Sequence, residues 1–529
     1  MKLLLILMQI VSLVRINRAN TLMSAVLDDN LGMDDMINRR PSFEEYEHNR
    51  KQFIEEEEGR FLGADLNLST EEQIVNEYAM KLKRAELEQG FNDSYKFIPA
   101  RHFFEVLERF NESKLFQLIQ KLPKGAVLHA HDTAIGSTEL IVNATYSENL
   151  WQRGDFEGDT TGLLFEFSKE APCGDGWKLV SDVRSAMSAE VYDEKIRKMF
   201  GLYTENPIST YKSINDVWGK FQEIFNLLYP IINYEPVWRQ YFYDCLEQLY
   251  DDNVQYLEIR GVLPPVYDLS GKIYSPEEII QIYINETERF KQSHPQFIGV
   301  KIIYAPVRFA NDTTFDGYLE TVRDLHQKFP NFLAGFDLVG QEDTGRPLID
   351  FVPQLLTLPD SIRFFFHAGE TNWYGMRTDR NLIDAILLGT QRIGHGFALL
   401  KHPNLMKIVK RRQICVEINP ISNQVLKLVD DYRNHPAVVF FSDNYPVVVS
   451  SDDPSFWRAS PLSHDFYMAF VGIASAHHDL RLLKRLAMNS LEFSAMNQTE
   501  KDAAKRLWKS SWHNTIKELA KEIASFETA

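Results

Sequence analysis

Between Gly125 and Pro454, eight short apolar strands alternate with helical stretches, a pattern that argues for an α/β chain folded as a (β/α)8 TIM barrel. From the third strand onward the strand ends recur roughly every thirty residues, a regular βα rhythm. Residues able to do metal and acid–base chemistry fall at the ends of strands one, five, six and eight, where barrel enzymes carry their sites. A random scatter of 14 histidines would not do that. An N-terminal helical extension precedes the barrel, and an insertion follows strand one.

In chain order, residues 1–20 read as a signal peptide: Lys2 precedes an apolar run, Leu3 to Val14, too short to span a bilayer. No other stretch reaches transmembrane length. Secretion to the extracellular space, or to the lysosome, is therefore expected. Seven Asn-x-Ser/Thr sequons, at Asn67, Asn92, Asn111, Asn143, Asn285, Asn311 and Asn497, agree with a glycosylated protein. Residues 21–120 form the helical extension. Ser69-Thr-Glu-Glu72 is a capping-box start with Ile74, Tyr78 and Leu82 on one face; a second amphipathic run covers Phe103 to Ile119; and Glu55 to Glu58 is a solvated face.

The barrel is placed at 121–515, with a C-terminal helix end and tail at 516–529. Its strand candidates are Gly125–Asp132, Val254–Gly261, Gly299–Arg308, Leu333–Gly340, Ile362–Glu370, Arg392–Phe397, Ile414–Pro420 and Val447–Pro454. The interval between the first two strand ends is several times longer than the others, so an insertion is placed at 143–208. Of the three cysteines, Cys245 and Cys415 read as core residues and Cys173 lies in a Gly-rich loop without a partner. A composition of 44% hydrophobic and 25% charged residues is that of a globular protein, and a net charge of −17 argues against non-specific binding to nucleic acid or anionic membrane.

The chemistry starts at His129-Ala-His131, where alternating side chains let both imidazoles reach one point. With His367 and Asp452 they make an N3O site suited to one zinc ion, with a further position for water. His395, between glycines, can orient that water and accept its proton; Glu370 is a proton donor if burial raises its pKa. Asp453 follows Asp452, so the two carboxylates face opposite ways if the strand persists. The phosphate-binding Gly-x-x-x-x-Gly-Lys-Ser/Thr loop, His-Glu-x-x-His, the dinucleotide Gly-x-Gly-x-x-Gly and the cytidine-deaminase cysteine motif are all absent.

Taken together, His129-Ala-His131-Asp132, His367-Ala-Gly-Glu370-Thr371, Ile393-Gly-His395-Gly396 and Ser451-Asp452-Asp453-Pro454 resemble the adenosine deaminase superfamily. Phe336-Asp-Leu-Val-Gly340-Gln-Glu-Asp343, Pro420-Ile-Ser-Asn423 and Asn489-Ser490 resemble its secreted branch, the adenosine deaminase growth factors. The resemblance implies hydrolytic deamination of adenosine, and of 2′-deoxyadenosine, to inosine-type nucleoside and ammonia. Glu370 would protonate N1, His395 would assist the attack on C6, Gly340 would meet N3, Asp453 would bind N7, and Asp132 and Trp218 would face the nucleoside. It also implies a homodimer formed through the helical extension, and an insertion that binds a cell-surface receptor or glycosaminoglycan. The chain departs from the family pattern at Val307, where a ribose-contacting His is expected, at Gln222, in place of an acidic residue, and at the unpaired Cys173. These departures motivate an alternative, a catalytically weakened adenosine-binding or signalling protein on the same scaffold.

Overall fold

A computed structural model of the 529-residue chain describes residues 40–156 and 162–527. The expected signal peptide lies outside the described residues. Helix Phe43–Gly59 belongs to a separate N-terminal unit and buries no side chain. The second unit begins at Arg60 and holds everything that follows.

Helix Thr70–Asn92 opens that unit with the expected box: the Ser69 hydroxyl accepts from Glu72 N, and the Glu72 carboxylate accepts from Ser69 N. Its buried stripe is Val75, Ala79, Met80 and Lys83, one position on from the expected face. Ile74 is exposed, while Tyr78 and Leu82 flank the core half-buried. Hydrophobic spacing alone does not fix which edge of an apolar arc meets the neighbouring elements. The expected single run from Phe103 to Ile119 is instead three pieces, Phe103–Val106, a 3-10 turn Leu107–Glu112, and Lys114–Lys121. The restart is set by Ser113, whose hydroxyl caps Phe116 N.

Strand β1 (Gly125–Val127) begins the barrel. A small antiparallel sheet then intervenes, made of β2 (Leu150–Arg153), β3 (Leu164–Phe167) and β4 (Trp177–Leu179), with β2 in the middle. Helices Val180–Met187 and Ala189–Met199 follow it, and Cys173 is exposed and unpaired there. Helices Ile214–Ile232 and Glu235–Asp251 lead back to β5 (Val254–Gly261). The remaining strands are β6 (Gly299–Tyr304), β7 (Leu333–Phe336), β8 (His367–Ala368), β9 (Arg392–His395), β10 (Cys415–Ile418) and β11 (Val447–Val449).

All barrel pairings are parallel, in two runs of four, β1-β5-β6-β7 and β8-β9-β10-β11. Two bridges join the runs into a ring: Phe336 to Phe364 between β7 and β8, and Ala130 to Asp452 between β1 and β11. Every residue of β5 and β6 is buried, as expected for strands covered on both faces. β5 has the bounds expected of it, and the other barrel strands end short of their sequence candidates. There the chain leaves the ladder and turns its side chains across the barrel mouth. The last helix, Gln498–Glu527, runs unbroken through residue 515 and packs on Thr70–Asn92, its Trp512 Nε1 donating to Glu72 at 2.7 Å. Among the described residues no helix is long and apolar enough to cross a membrane.

Candidate active site

The ends of β8 and β9 and the segments just past β1 and β11 bring four imidazoles and two aspartates to one place. His129 and His131 lie beyond the end of β1, where His131 N donates to Asp452 O and Asp452 N donates to His129 O. The His129 ring lies 5.5 Å from His131, 4.5 Å from His367 and 4.9 Å from His395, centroid to centroid. Asp452 is at the hub: its Oδ1 stands 3.3 Å from His129 Nε2 and 3.0 Å from His131 Nε2, and its Oδ2 3.7 Å from His395 Nε2. Asp452 and His395 both hold a left-handed backbone, each at φ 61°, a conformation non-glycine residues adopt rarely and at a cost. That turn at Asp452 corrects the expectation that Asp452 and Asp453 face opposite ways: the strand does not persist, and both carboxylates enter the same cleft.

The imidazoles are held by partners behind them. His129 Nδ1 meets Glu417 Oε2 at 2.8 Å and His367 Nδ1 meets Asp337 Oδ2 at 2.6 Å, leaving each Nε2 aimed at the centre. Glu417 is tied in turn to Arg260 at 2.8 Å and Arg392 at 2.5 Å, Asp337 to Arg260 at 2.7 Å, and Arg392 to Glu258 at 2.7 Å. This buried network crosses β5, β9, β10 and the end of β7. Burial works against both carboxylates, yet the guanidiniums around Glu417, and His367 with Arg260 around Asp337, hold their pKa values below the ordinary range. His395 is set differently. Asn423 Nδ2 lies 3.1 Å from its Nδ1, and Asn423 Oδ1 lies 2.9 Å from His435 Nε2, an arrangement in which Nδ1 accepts and Nε2 carries the proton.

Burial pushes His131 down, His367 to about 3, and His395 well below its ordinary value, so these imidazoles are neutral near pH 7, as a ligand must be. Burial works against the Asp452 charge, yet the imidazoles of His129, His131 and His395 around it hold its pKa well below the usual carboxylate range. His129 Nε2 and Asp452 Oδ1 are buried without a hydrogen-bond partner, and ligand atoms of His129, His367, His395 and Asp452 all lie within 4.8 Å of one another. Two orphaned atoms inside such a donor set fit a divalent cation. Opposite them, burial first and then the Asp452 charge raise the Glu370 carboxyl well above the usual carboxylate range. Its Oε1 is 3.7 Å from His395 Nε2. The backbone around Glu370 is fixed by Glu342, which accepts from Gly369 N at 3.0 Å and Glu370 N at 2.6 Å. Asp453 is likewise raised, by burial and by Asp452.

A cavity of about 570 Å³ opens over this floor. Asp132, Trp218, Gly340 and Asp453 border it together with His131, His367, Glu370, His395 and Asp452, so nine of the ten residues singled out from the sequence share one space. His129, fully buried, forms part of the floor beneath it. Val307 and Gln222 border the cavity as well. Sequence reasoning gave no role to Glu258, Arg260, Asp337, Arg392, Glu417 or Asn423. The available signal was a charged residue inside an otherwise apolar parallel strand, as at Glu258 and Arg260 in β5 and Glu417 in β10, where only a paired charge survives burial.

Residues 202–507 match the family model described as adenosine deaminase, and residues 21–119 match adenosine/AMP deaminase N-terminal. An adenosine deaminase of Aedes albopictus is 62% identical over 489 residues, covering 92% of this chain and 91% of its own. Adenosine deaminase 2 of Homo sapiens is 40% identical over 474 residues, covering 87% and 91%. Among solved structures, an adenine deaminase from Arthrobacter aurescens shares the fold at 18% identity, with a TM-score of 0.52 over 73% of this chain and 98% of that one. With a family model matched across more than half of its length and such relatives matched nearly end to end, the chain belongs to the adenosine deaminase family.

Proposed function

We propose that this protein is a secreted, zinc-dependent adenosine deaminase that hydrolyses adenosine, and 2′-deoxyadenosine, to the corresponding inosine nucleoside and ammonia. The observation that carries the reading is a neutral, buried Glu370 facing an ionised Asp452 and neutral imidazoles across one cavity. His129, His131, His367 and Asp452 would hold the ion, which when bound supplies a Lewis acid and a water of lowered pKa. Glu370 has the proton that N1 needs, and its transfer draws electron density from C6 as water adds there. His395 presents an Nε2–H toward the reacting atoms, so it orients the water oxygen as a donor, and Asp452 is the group left to accept the water's proton. Gly340, at φ 99°, brings backbone to the cavity wall for N3, and Asp453, raised enough to keep its proton, donates to N7. Asp132 and Trp218 face the sugar side.

Secretion is supported by the apolar N-terminal run and by the seven sequon asparagines, all of which are exposed. A homodimer is supported by helix Phe43–Gly59, whose exposed Phe43, Tyr46, Phe53 and Ile54 fall on one face that a second copy would cover. The removal of extracellular adenosine would give the protein growth-factor activity, with the inserted sheet as the surface for a receptor or glycosaminoglycan.

The test uses the purified secreted protein, measuring zinc content and inosine plus ammonia production from the same sample. Equimolar zinc with turnover is expected, and Glu370→Gln should lower kcat about a thousandfold or more while zinc content and melting stay unchanged. A Glu370→Gln enzyme of near-normal rate would remove the proton donor from this reading.

A further inference from the structure

We infer that the sugar end of the cavity is an apolar annex which accepts adenosines carrying an alkyl or alkylthio group in place of the 5′-hydroxyl, and which shuts out 5′-phosphates. The inference rests on the reading above, in which C6 sits beside Asp452 and His395 and the Gly340 amide meets N3. In a purine, N3 neighbours the carbon that bears N9, and N9 bears the sugar. The residues next to Gly340 therefore face the ribose.

The structure places Val307 there. The continuations of β6 and β7 pair at Val307 and Val339, with Arg308 N donating to Val339 O at 2.9 Å and Val339 N to Pro306 O at 3.0 Å. Val307 borders the cavity and is 37% exposed, so its side chain is free to meet a ligand. One strand further round the rim, the end of β5 contributes Leu263, Pro264 and Pro265. Val307 and the run Leu263-Pro264-Pro265 thus offer the cavity no side-chain donor or acceptor. Tyr304, which ends β6, and Tyr318 border the cavity with their phenol groups, and beyond the end of β5 the next carboxylate is Asp132, whose Oδ2 already accepts from Tyr283 Oη at 2.9 Å.

Charge tells the same story. Among the described residues bordering the cavity there is no lysine or arginine. Arg308, next to Val307 in sequence, is wholly buried and donates its Nη2 to the carbonyls of Leu338 at 2.9 Å and His367 at 3.2 Å. A phosphate entering the annex would give up its water with no cation to replace it, on the same floor as the Asp452 carboxylate.

The magnitudes separate this arrangement from its opposite. A site built to hydrogen-bond a substrate hydroxyl rejects the analogue lacking it by about 10⁴–10⁵, whereas an apolar pocket discriminates by only about 10–200. The zinc-loaded, full-length enzyme is assayed for ammonia release from adenosine, 5′-deoxyadenosine, 5′-deoxy-5′-methylthioadenosine and AMP. Expected are kcat/KM values for both 5′-modified nucleosides within about tenfold of adenosine, and a loss of more than about a hundredfold for AMP. A larger loss for the modified nucleosides, or a smaller one for AMP, overturns the annex. Val307→His should lower the ratio of methylthio nucleoside to adenosine turnover about tenfold or more; an unchanged ratio overturns the assignment to Val307. Absence of adenosine turnover in the same assay would instead bring down the reading of the site, and this inference with it.

Discussion

At the scale of single residues, the hydrogen bond from Asn423 decides what His395 can do. An Nδ1 that accepts from an amide leaves Nε2 protonated, and a protonated Nε2 orients an oxygen but takes no proton from it. Replacing that amide by a carboxylate reverses the pattern, because Asp accepts at both oxygens and calls for a proton on Nδ1. Asn423→Asp should therefore lower kcat by about a hundredfold, with a much smaller change in KM. Steady-state kinetics beside a histidine NMR titration would check this, and an unchanged tautomer with unchanged kcat would refute it. The candidate ligand and acid residues were legible in the sequence because each stands in a short motif at a strand end. Asn423 was visible only as part of a resemblance, since its role depends on how the segment after β10 folds back over β9.

At the scale of elements, Glu417 links three strands. From β10 it holds His129, just past β1, Arg260 on β5 and Arg392 on β9, in a space with no solvent. Glu417→Gln removes the charge that both guanidiniums share and the acceptor that orients His129. Two losses are expected together: about 3–5 kcal/mol of stability, and about a tenfold to hundredfold drop in metal affinity. Denaturant melts of metal-free protein and competition with a chelator measure them separately; a variant that loses neither would show the network to be incidental. Element order and type were readable, and so was the capping box at Ser69. Strand ends were not, β5 apart, because an apolar run continues past the last ladder hydrogen bond while the backbone turns inward. The stretch from Phe103 to Ile119 illustrates the same limit: its apolar spacing suits one helix, and the Ser113 cap, which divides it, became visible only as a hydrogen bond.

At the scale of the whole molecule, Lys83 couples stability to pH. It sits in the N-terminal helix of the second unit, its Nζ donating to Ser475 O and His478 O, each at 2.8 Å, 4.1 Å from the centre of the Phe470 ring. Burial lowers its pKa from 10.5 to about 7. The folded value lies below the unfolded one, so between about pH 7 and pH 10 the unfolded chain binds the extra proton, and stability rises with pH across that window. Below it the amine is charged in both states and the penalty is constant. Lys83→Met should remove this slope, shifting the stability difference between variant and wild type by about 2 kcal/mol from pH 7 to pH 9 in urea titrations. Parallel pH dependences in the two proteins would rule the coupling out.

The cylinder is sealed between its first and last staves by the amides of His131 and Asp452, the same residues that surround the reacting centre. Architecture and chemistry therefore mature in one event. A nascent polypeptide cannot assemble a partial, leaky catalyst, because competence arrives only when the final stave meets the first.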